Sequence, residues 1–366
     1  LRSSSVPRIA LFVCLFLLMA CPVAGLATER PNVLLICVDD LKPTIGCFGD
    51  PVAVTPNIDA LAKRGVRFDS AYCNQAVCSP SRNSLMTGLR PQTIGVYDLP
   101  THFRLATSEL TANDPTRGAV VTLSQHFKNN GYLAQGLGKI YHVGHGNIDD
   151  KQSWSVPSWR PKGPSYVLDA NVKNIVPDAK GKKRGPATES ADVSDDTYSD
   201  GKIALETIHR IAEAKENPDQ PFFIAAGFLK PHLPFVAPQK YWDLYQPSEL
   251  PMPELTSPPN DAPSYAATSG GELRNYSDMQ IKGPIDSTTT RHLIHGYYAA
   301  TSKPHGFRSS SPPPVPLAAR PQMQCWKRSI SIRHWSSWRG SKRHRISMAS
   351  AKQRWFGIPN KRYAIS

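Results

Sequence analysis

The 366-residue sequence predicts a three-layer α/β fold with helices on both faces of a mainly parallel central sheet. Two continuous apolar runs, residues 31–41 and Pro221–Leu229, read as strands buried on both faces, because such strands lose the alternation of a half-exposed sheet. Amphipathic segments at Thr55–Gly65, Val120–Asn130 and Thr197–Glu216 supply the covering helices. Both apolar runs end in charge, Asp39-Asp40 in one and Lys230-Pro231-His232 in the other. Ligands of open α/β sheets bind at the carboxyl ends of the strands, so these ends are where chemistry is expected.

Taken in order, residues 1–27 have the form of an export signal: basic Arg2 and Arg8, an apolar run Ile9–Ala20, then small residues at Gly25-Leu26-Ala27. Leu18-Met19-Ala20-Cys21 loosely matches a lipoprotein box, so lipid anchoring at Cys21 is the second reading of this segment. No other stretch approaches the roughly 20 apolar residues of a membrane span. The mature chain is therefore expected to lack a transmembrane span and to be exported, to a periplasm or the medium. The strand at 31–41 delivers adjacent carboxylates, which serve either as a divalent-cation site or as a turn with a helix cap. In the next helix Thr55 is the expected cap, Pro56 takes the first position, Gly65 closes it, and Ile58, Leu61 and Ala62 face inward. Val66–Tyr72 reads as a short strand leading to Ala76-Val77-Cys78-Ser79-Pro80-Ser81-Arg82, which runs on to Thr87-Gly88. Pro80 is compatible with a first helical turn, so Cys78 is placed at a helix entrance with Arg82 one turn further in. A thiol-derived group beside a helix N-terminus and a guanidinium suits anion chemistry. The alternative is a buried cysteine beside an ordinary turn.

Residues Arg90–Arg104 read as a polar surface loop. The helix Val120–Asn130 turns Val120, Leu123 and Phe127 inward and ends at Gly131, and a strand then delivers Lys139 and His142. Residues 147–197 are polar, with a basic run at Lys180–Arg184, and read as a long surface excursion beside a substrate cleft. Thr197–Glu216 carries Ile203, Ala204, Ile208 and Ile211 on one face, and residues 246–265 form a proline-rich loop before a helix over Thr288–Thr301.

The formal charge of +14 raises nucleic acid as a partner, but its distribution excludes it. Residues 303–366 hold 14 of the 43 Lys and Arg and no Asp or Glu, which leaves 29 basic and 29 acidic residues in the rest of the chain. Seven cysteines, two of them inside the export signal, make neither a disulfide framework nor a zinc spacing. Cys37, within an apolar strand, reads as plain core.

The run from Ala76 to Gly88 resembles the signature of the type I, formylglycine-dependent sulfatases. Thr55-Pro56-Asn57-x-Asp59-x-Leu61-Ala62, Gly138-Lys139 with His142 nearby, and Pro231-His232-x-Pro234 are similar to further motifs of that family. The resemblance covers about residues 31–302; Ala134 and Leu137 depart from the usual residue types of the Gly138-Lys139 motif. It implies an alkaline phosphatase-like fold. It also implies that a separate maturation enzyme oxidises Cys78 to formylglycine. A thiolate would give a thiosulfate ester with no easy exit, whereas a diol gives a sulfate hemiester that collapses by expelling sulfate and re-forming the aldehyde, splitting one hard step into two. By the same resemblance Asp39, Asp40 and the oxidised Cys78 hold calcium, Arg82 steadies the hydrate, and Lys139, His142 and His232 bind sulfate or move protons. Gly46-Cys47-Phe48-Gly49 and the Arg90–Arg104 segment look like the iduronate-2-sulfatase-like branch, which implies a sulfated sugar or polysaccharide, with a uronic acid residue as the expected site, as substrate. A phosphonate or phosphate ester hydrolase of the same superfamily is the alternative.

The resemblance stops near Ser302. Residues 303–366 hold four of the seven Trp and the triple Pro312-Pro313-Pro314, with no apolar period. A shifted reading frame after residue 302 is expected, with a disordered basic arm as the competing account. The family's later strand with Asp and His, its further sulfate-binding lysine and its smaller C-terminal subdomain are not found in these residues. The chain as written is therefore expected to be an incomplete catalytic domain over 28–302, with little or no activity.

Overall fold

The computed structural model describes residues 30–303 except 115–117, 146, 148, 179–180, 256, 258–259 and 264–269, together with the backbone of 322–323. The expected export signal and nearly all of the basic tail lie outside the described residues. The chain divides into a unit of residues 1–328, which contains everything described below, and a unit of residues 329–366.

The three-layer arrangement is present. Strands β1 (Val33–Val38), β2 (Leu133–Gly138) and β4 (Phe222–Phe228) form a parallel sheet in the order β1-β4-β2. Strand β3 (Thr188–Ala191) pairs in parallel with β5 (Phe235–Pro238) in a second, two-stranded sheet. On the central strand β4 every residue is buried, as its unbroken apolar run requires. Its side chains alternate between two cores. Phe223 and Ala225 join Met86, Ile94, Phe103, Ala134 and Tyr141 on one face. Phe222, Ile224, Ala226 and Phe228 join Leu137, Ile203 and Ala204 on the other. The first core is covered by α2 (Cys78–Thr87), α3 (Phe103–Asn113) and α4 (Leu123–Asn129). The second is covered by α5 (Ser199–Lys215), and α6 (Ser287–Ser302) packs on the smaller sheet.

Several expectations need correction. Strand β1 is not buried on both faces: it pairs only with β4 among the described strands, and Leu34 and Ile36 are 43% and 48% exposed. Thr55 precedes α1 (Pro56–Arg64) but does not cap it; its hydroxyl accepts from Gly46 N at 2.9 Å and donates to Asp59 at 3.2 Å, tying the helix to the turn after β1. Pro56 and Gly65 bound that helix as expected. Of Val66–Tyr72 only Val66–Arg67 is strand, paired with Gln322–Met323. The supposed loop Arg90–Arg104 places Ile94, Val96 and Phe103 in the core, because apolar residues spaced among polar ones were read as surface. Helix α4 starts after Thr122, whose side chain closes a capping box with Gln125, and leaves Leu123 exposed. On α5, Ile203 and Ala204 are buried but Ile208 is exposed. Residues 147–197 are no free excursion, since Trp154 and Tyr166 are buried and β3 pairs with β5. No helix among the described residues is long and apolar enough to cross a membrane.

The exits of β2 and β4 cross at a pair of glycines. Lys139 N donates to Gly227 O at 2.8 Å, and a Cβ on Gly227 would stand 2.1 Å from Lys139 O. Gly138 bends the chain there with φ +68°, a conformation glycine adopts without a Cβ clash. Gly227→Ala is expected to destabilise the fold by about 2–4 kcal/mol, while Leu34→Ala costs under about 1 kcal/mol. Denaturant midpoints of the two variants check this.

Candidate active site

Five segments bring their ends together. Strand β1 runs into Asp39, whose N–H continues the ladder by donating to Phe228 O at 3.1 Å, and then into Asp40, whose φ of +58° turns the chain away. Helix α2 begins at Cys78, as the Pro80 spacing predicts. Strand β2 delivers Lys139, strand β4 delivers the loop with His232, and α6 supports the floor. There Tyr297 donates from its hydroxyl to Asp40 O at 2.8 Å and accepts from Lys42 N at 2.7 Å.

Asp39 is the hub. Arg82 Nη2 donates to its Oδ1 at 2.8 Å and Lys139 Nζ to its Oδ2 at 2.5 Å, and all three side chains are buried. Arg82 Nη1 also donates to the carbonyls of Lys139 and Ile140, so this guanidinium joins α2 to the ends of β1 and β2. Burial pushes the Asp39 carboxyl up, but the Arg82 guanidinium and the Lys139 ammonium outweigh it and hold the group well below the usual carboxylate range. Cys78 Sγ lies 4.0 Å from Asp39 Oδ2, and burial together with the Asp39 charge pushes its thiol up. A cavity of about 60 Å³ opens here, lined by Asp39, Asp40, Cys73, Cys78 and Arg82 among others.

His232 faces the same place. Its Nε2 lies 3.8 Å from Asp40 Oδ2 and 3.6 Å from Glu272 Oε1. Lys230, whose role the sequence left open, clamps this loop by donating to His232 O at 2.9 Å and Pro234 O at 2.6 Å. Burial brings its ammonium down to about 8 despite the nearby Asp200 carboxylate.

His142 is set apart from this group. It lines a second small cavity with Ser79, Asn83, His102 and Tyr141. Its Nε2 is 3.1 Å from His145 Nδ1, and its buried Nδ1 has no hydrogen-bond partner among the described residues. Burial, with Lys139 and His145 beside it, lowers its pKa to about 4, so the ring is neutral near pH 7. The structure thus gathers Asp39, Asp40, Cys78, Arg82, Lys139 and His232 at one place and puts His142 next to it. Sequence reasoning missed Tyr297, Glu272 and His145. Each lies far along the chain from Asp40, or outside the motifs, and only the His145 imidazole carried a local hint.

Asp39, Asp40, Cys78 and His232 each present one donor atom within 4.8 Å of all the others. That cluster fits a divalent cation. Which cation depends on the atom presented at position 78, because sulfur favours borderline-soft ions and oxygen favours hard ones.

The family model described as Sulfatase matches residues 31–283. The chain belongs to the sulfatase family. This sulfatase-family chain is 33% identical to the iduronate 2-sulfatase of Mus musculus over 285 residues, covering 75% of the chain and 50% of that relative. It is 31% identical to an ulvan-active sulfatase of Formosa agariphila, covering 68% of the chain and 43% of that relative. The chain thus spans about half the length of the curated relatives it matches. Its fold is alkaline phosphatase-like. A phosphonate monoester hydrolase from Silicibacter pomeroyi superposes with a TM-score of 0.50 at 21% identity, covering 75% of this chain and 57% of that one.

Asp39→Asn leaves two buried cations uncompensated and is expected to cost about 3–5 kcal/mol at pH 7 by denaturant unfolding. Because the folded-state pKa of Asp39 is depressed, its contribution is present above the unfolded value of about 3.9 and is lost as pH falls below it, so the gap between wild type and variant narrows in acid. His142 acts in a different window. Its folded pKa of about 4 lies below the ordinary 6.5, so the unfolded chain takes the proton first and stability falls as pH drops from 6.5 to 4. His142→Gln is expected to flatten that part of the stability profile.

Proposed function

We propose that this site hydrolyses sulfate esters of a sulfated sugar, with an iduronate-2-sulfatase-like uronic acid residue of a polysaccharide as the substrate class. The observation that supports the reading best is the placement of Cys78 at the first position of α2, 4.0 Å from a carboxylate already neutralised by Arg82 and Lys139. In this proposal a maturation enzyme converts Cys78 to formylglycine, whose hydrate supplies the nucleophilic oxygen. Asp39, Asp40 and the converted residue 78 hold calcium, which would neutralise charge on the sulfate.

The chain's own residues account for the rest. Lys139, held by its charge partner Asp39, would offer an ammonium to sulfate oxygens. Arg82 fixes the helix entrance against β1 and β2, so position 78 cannot swing away from the aspartates. His232 presents Nε2 to the reacting region and is placed to pass a proton to the leaving oxygen or take one from the nucleophile. His142, neutral and beside Lys139 although it lines the neighbouring cavity, would take up a proton passed from the residue 78 side. Residues 1–27 would direct export to a periplasm or the medium, where sulfated polysaccharides are met.

The test is turnover of an aryl sulfate and an aryl phosphate by chain co-produced with a formylglycine-generating enzyme, with conversion of residue 78 confirmed by peptide mass. The expected outcome is slow sulfate hydrolysis, in line with the low activity expected of residues 28–302, that falls to background in Cys78→Ala because the covalent route is lost. Preference for the phosphate, or turnover unchanged in Cys78→Ala, would overturn the reading.

A further inference from the structure

The sequence encodes a sulfur at position 78, and its neighbours form a donor set of definite chemical character. Cys78 Sγ lies 4.0 Å from Asp39 Oδ2 and His232 Nε2 lies 3.8 Å from Asp40 Oδ2. Donors bonded at about 2.0–2.3 Å around a tetrahedral ion stand roughly 3.3–3.8 Å apart, and the four donor atoms here all lie within 4.8 Å of one another, so side-chain movements of about 1 Å close the set. The four side chains come from three different parts of the chain, the end of β1, the start of α2 and the loop after β4, all anchored in the central sheet or its covering helix.

His232 is oriented as a ligand. Its Nδ1 is 2.7 Å from Leu233 O, and a carbonyl can only accept, so Nδ1 carries a proton and Nε2, which faces the cluster, is the nitrogen left to ligate. The loop is held from both ends: Asp200 accepts from Leu229 N at 2.9 Å and Lys230 N at 2.8 Å, and Lys230 Nζ donates to two of the loop's carbonyls. Asp39 Oδ2 keeps a second lone pair beside its bond to Lys139. Two carboxylates, one imidazole and one thiol make a mixed O, N and S set of the kind zinc takes, whereas calcium takes six to eight oxygens.

We propose that this chain, while Cys78 is still a thiol, binds a zinc-class divalent cation through Asp39, Asp40, Cys78 and His232, and that replacing the sulfur by oxygen shifts the site's preference to a hard cation. Binding releases the Cys78 thiol proton to solvent as sulfur donates its lone pair to the metal; no oxidation occurs. The maturation state of residue 78 thereby selects the metal. Only the second half, the shift on conversion, rests on the sulfatase reading above.

The experiment uses the full chain produced without a maturation enzyme, with an intact Cys78 confirmed by mass, and the metal ions alone as probes. Competition against a zinc-binding chromophore and equilibrium dialysis with calcium are expected to show one zinc ion bound at least about 100-fold more tightly than calcium. Cobalt as a probe is expected to give a thiolate-to-metal charge-transfer band that Cys78→Ser abolishes. His232→Ala is expected to weaken zinc binding roughly tenfold or more. Equal affinity for zinc and calcium, or a cobalt spectrum of the unsubstituted chain without the thiolate band, would overturn the proposal even if a variant failed to fold. Neither result bears on aryl sulfate turnover by the converted chain, so the two readings fail separately.

Discussion

One carboxylate holds this site together. Asp39 sits where β1 leaves the sheet and receives Arg82 from α2 on one oxygen and Lys139 from the end of β2 on the other. Each of these charges is buried, and each would be costly alone. Together they pair their charges, and Arg82 turns Nη1 to the carbonyls of Lys139 and Ile140, while its buried Nε has no partner among the described residues. Such a buried network contributes less to net stability than its Coulomb attraction implies, because every member has lost its water. It also ties the ends of two strands and one helix to one point, and Cys78 comes to lie beside Asp39 there.

The same network bears on the chemistry. Asp39 stays ionised because its two cationic partners outweigh the cost of burial. Cys78 feels the opposite balance, and burial with the Asp39 charge beside it disfavours the thiolate. An unassisted thiolate nucleophile is therefore poorly favoured at this position. That fits a residue which acts after conversion to another group, or which gives up its proton only to a metal. His142 and His232 divide along similar lines. His142 is buried next to Lys139 and kept neutral, whereas His232 faces two carboxylates and is steered by a carbonyl on its other nitrogen.

Legibility in the sequence followed range. Pro80, Pro56 and Gly65 act on their own turn, so the start of α2 and both ends of α1 were readable. The unbroken apolar run of β4 needs partners on both faces and could only be a central strand. Strand β1 has nearly the same composition yet leaves Leu34 and Ile36 exposed, because neighbours rather than composition decide which faces are covered. Thr55 had the right type and position for a cap, but its hydroxyl was taken by Gly46 and Asp59. Residues Arg90–Arg104 looked like surface because Ile94, Val96 and Phe103 are spaced without a period.

By itself the sequence determined the family, the alternation of strands and helices, and the residue types that must meet: two aspartates, a cysteine, an arginine, a lysine and a histidine. Those features are local or carried by short motifs, and local sterics and hydrogen bonding are enough to express them. Only the tertiary structure decided how the charges pair, that Lys230 braces the loop while His232 faces Asp40, that Tyr297 supports the turn at Asp40, and that four donors of mixed character share one cluster. These depend on atoms separated by tens to hundreds of residues, and a chain specifies such contacts through the packing of the sheet that carries them.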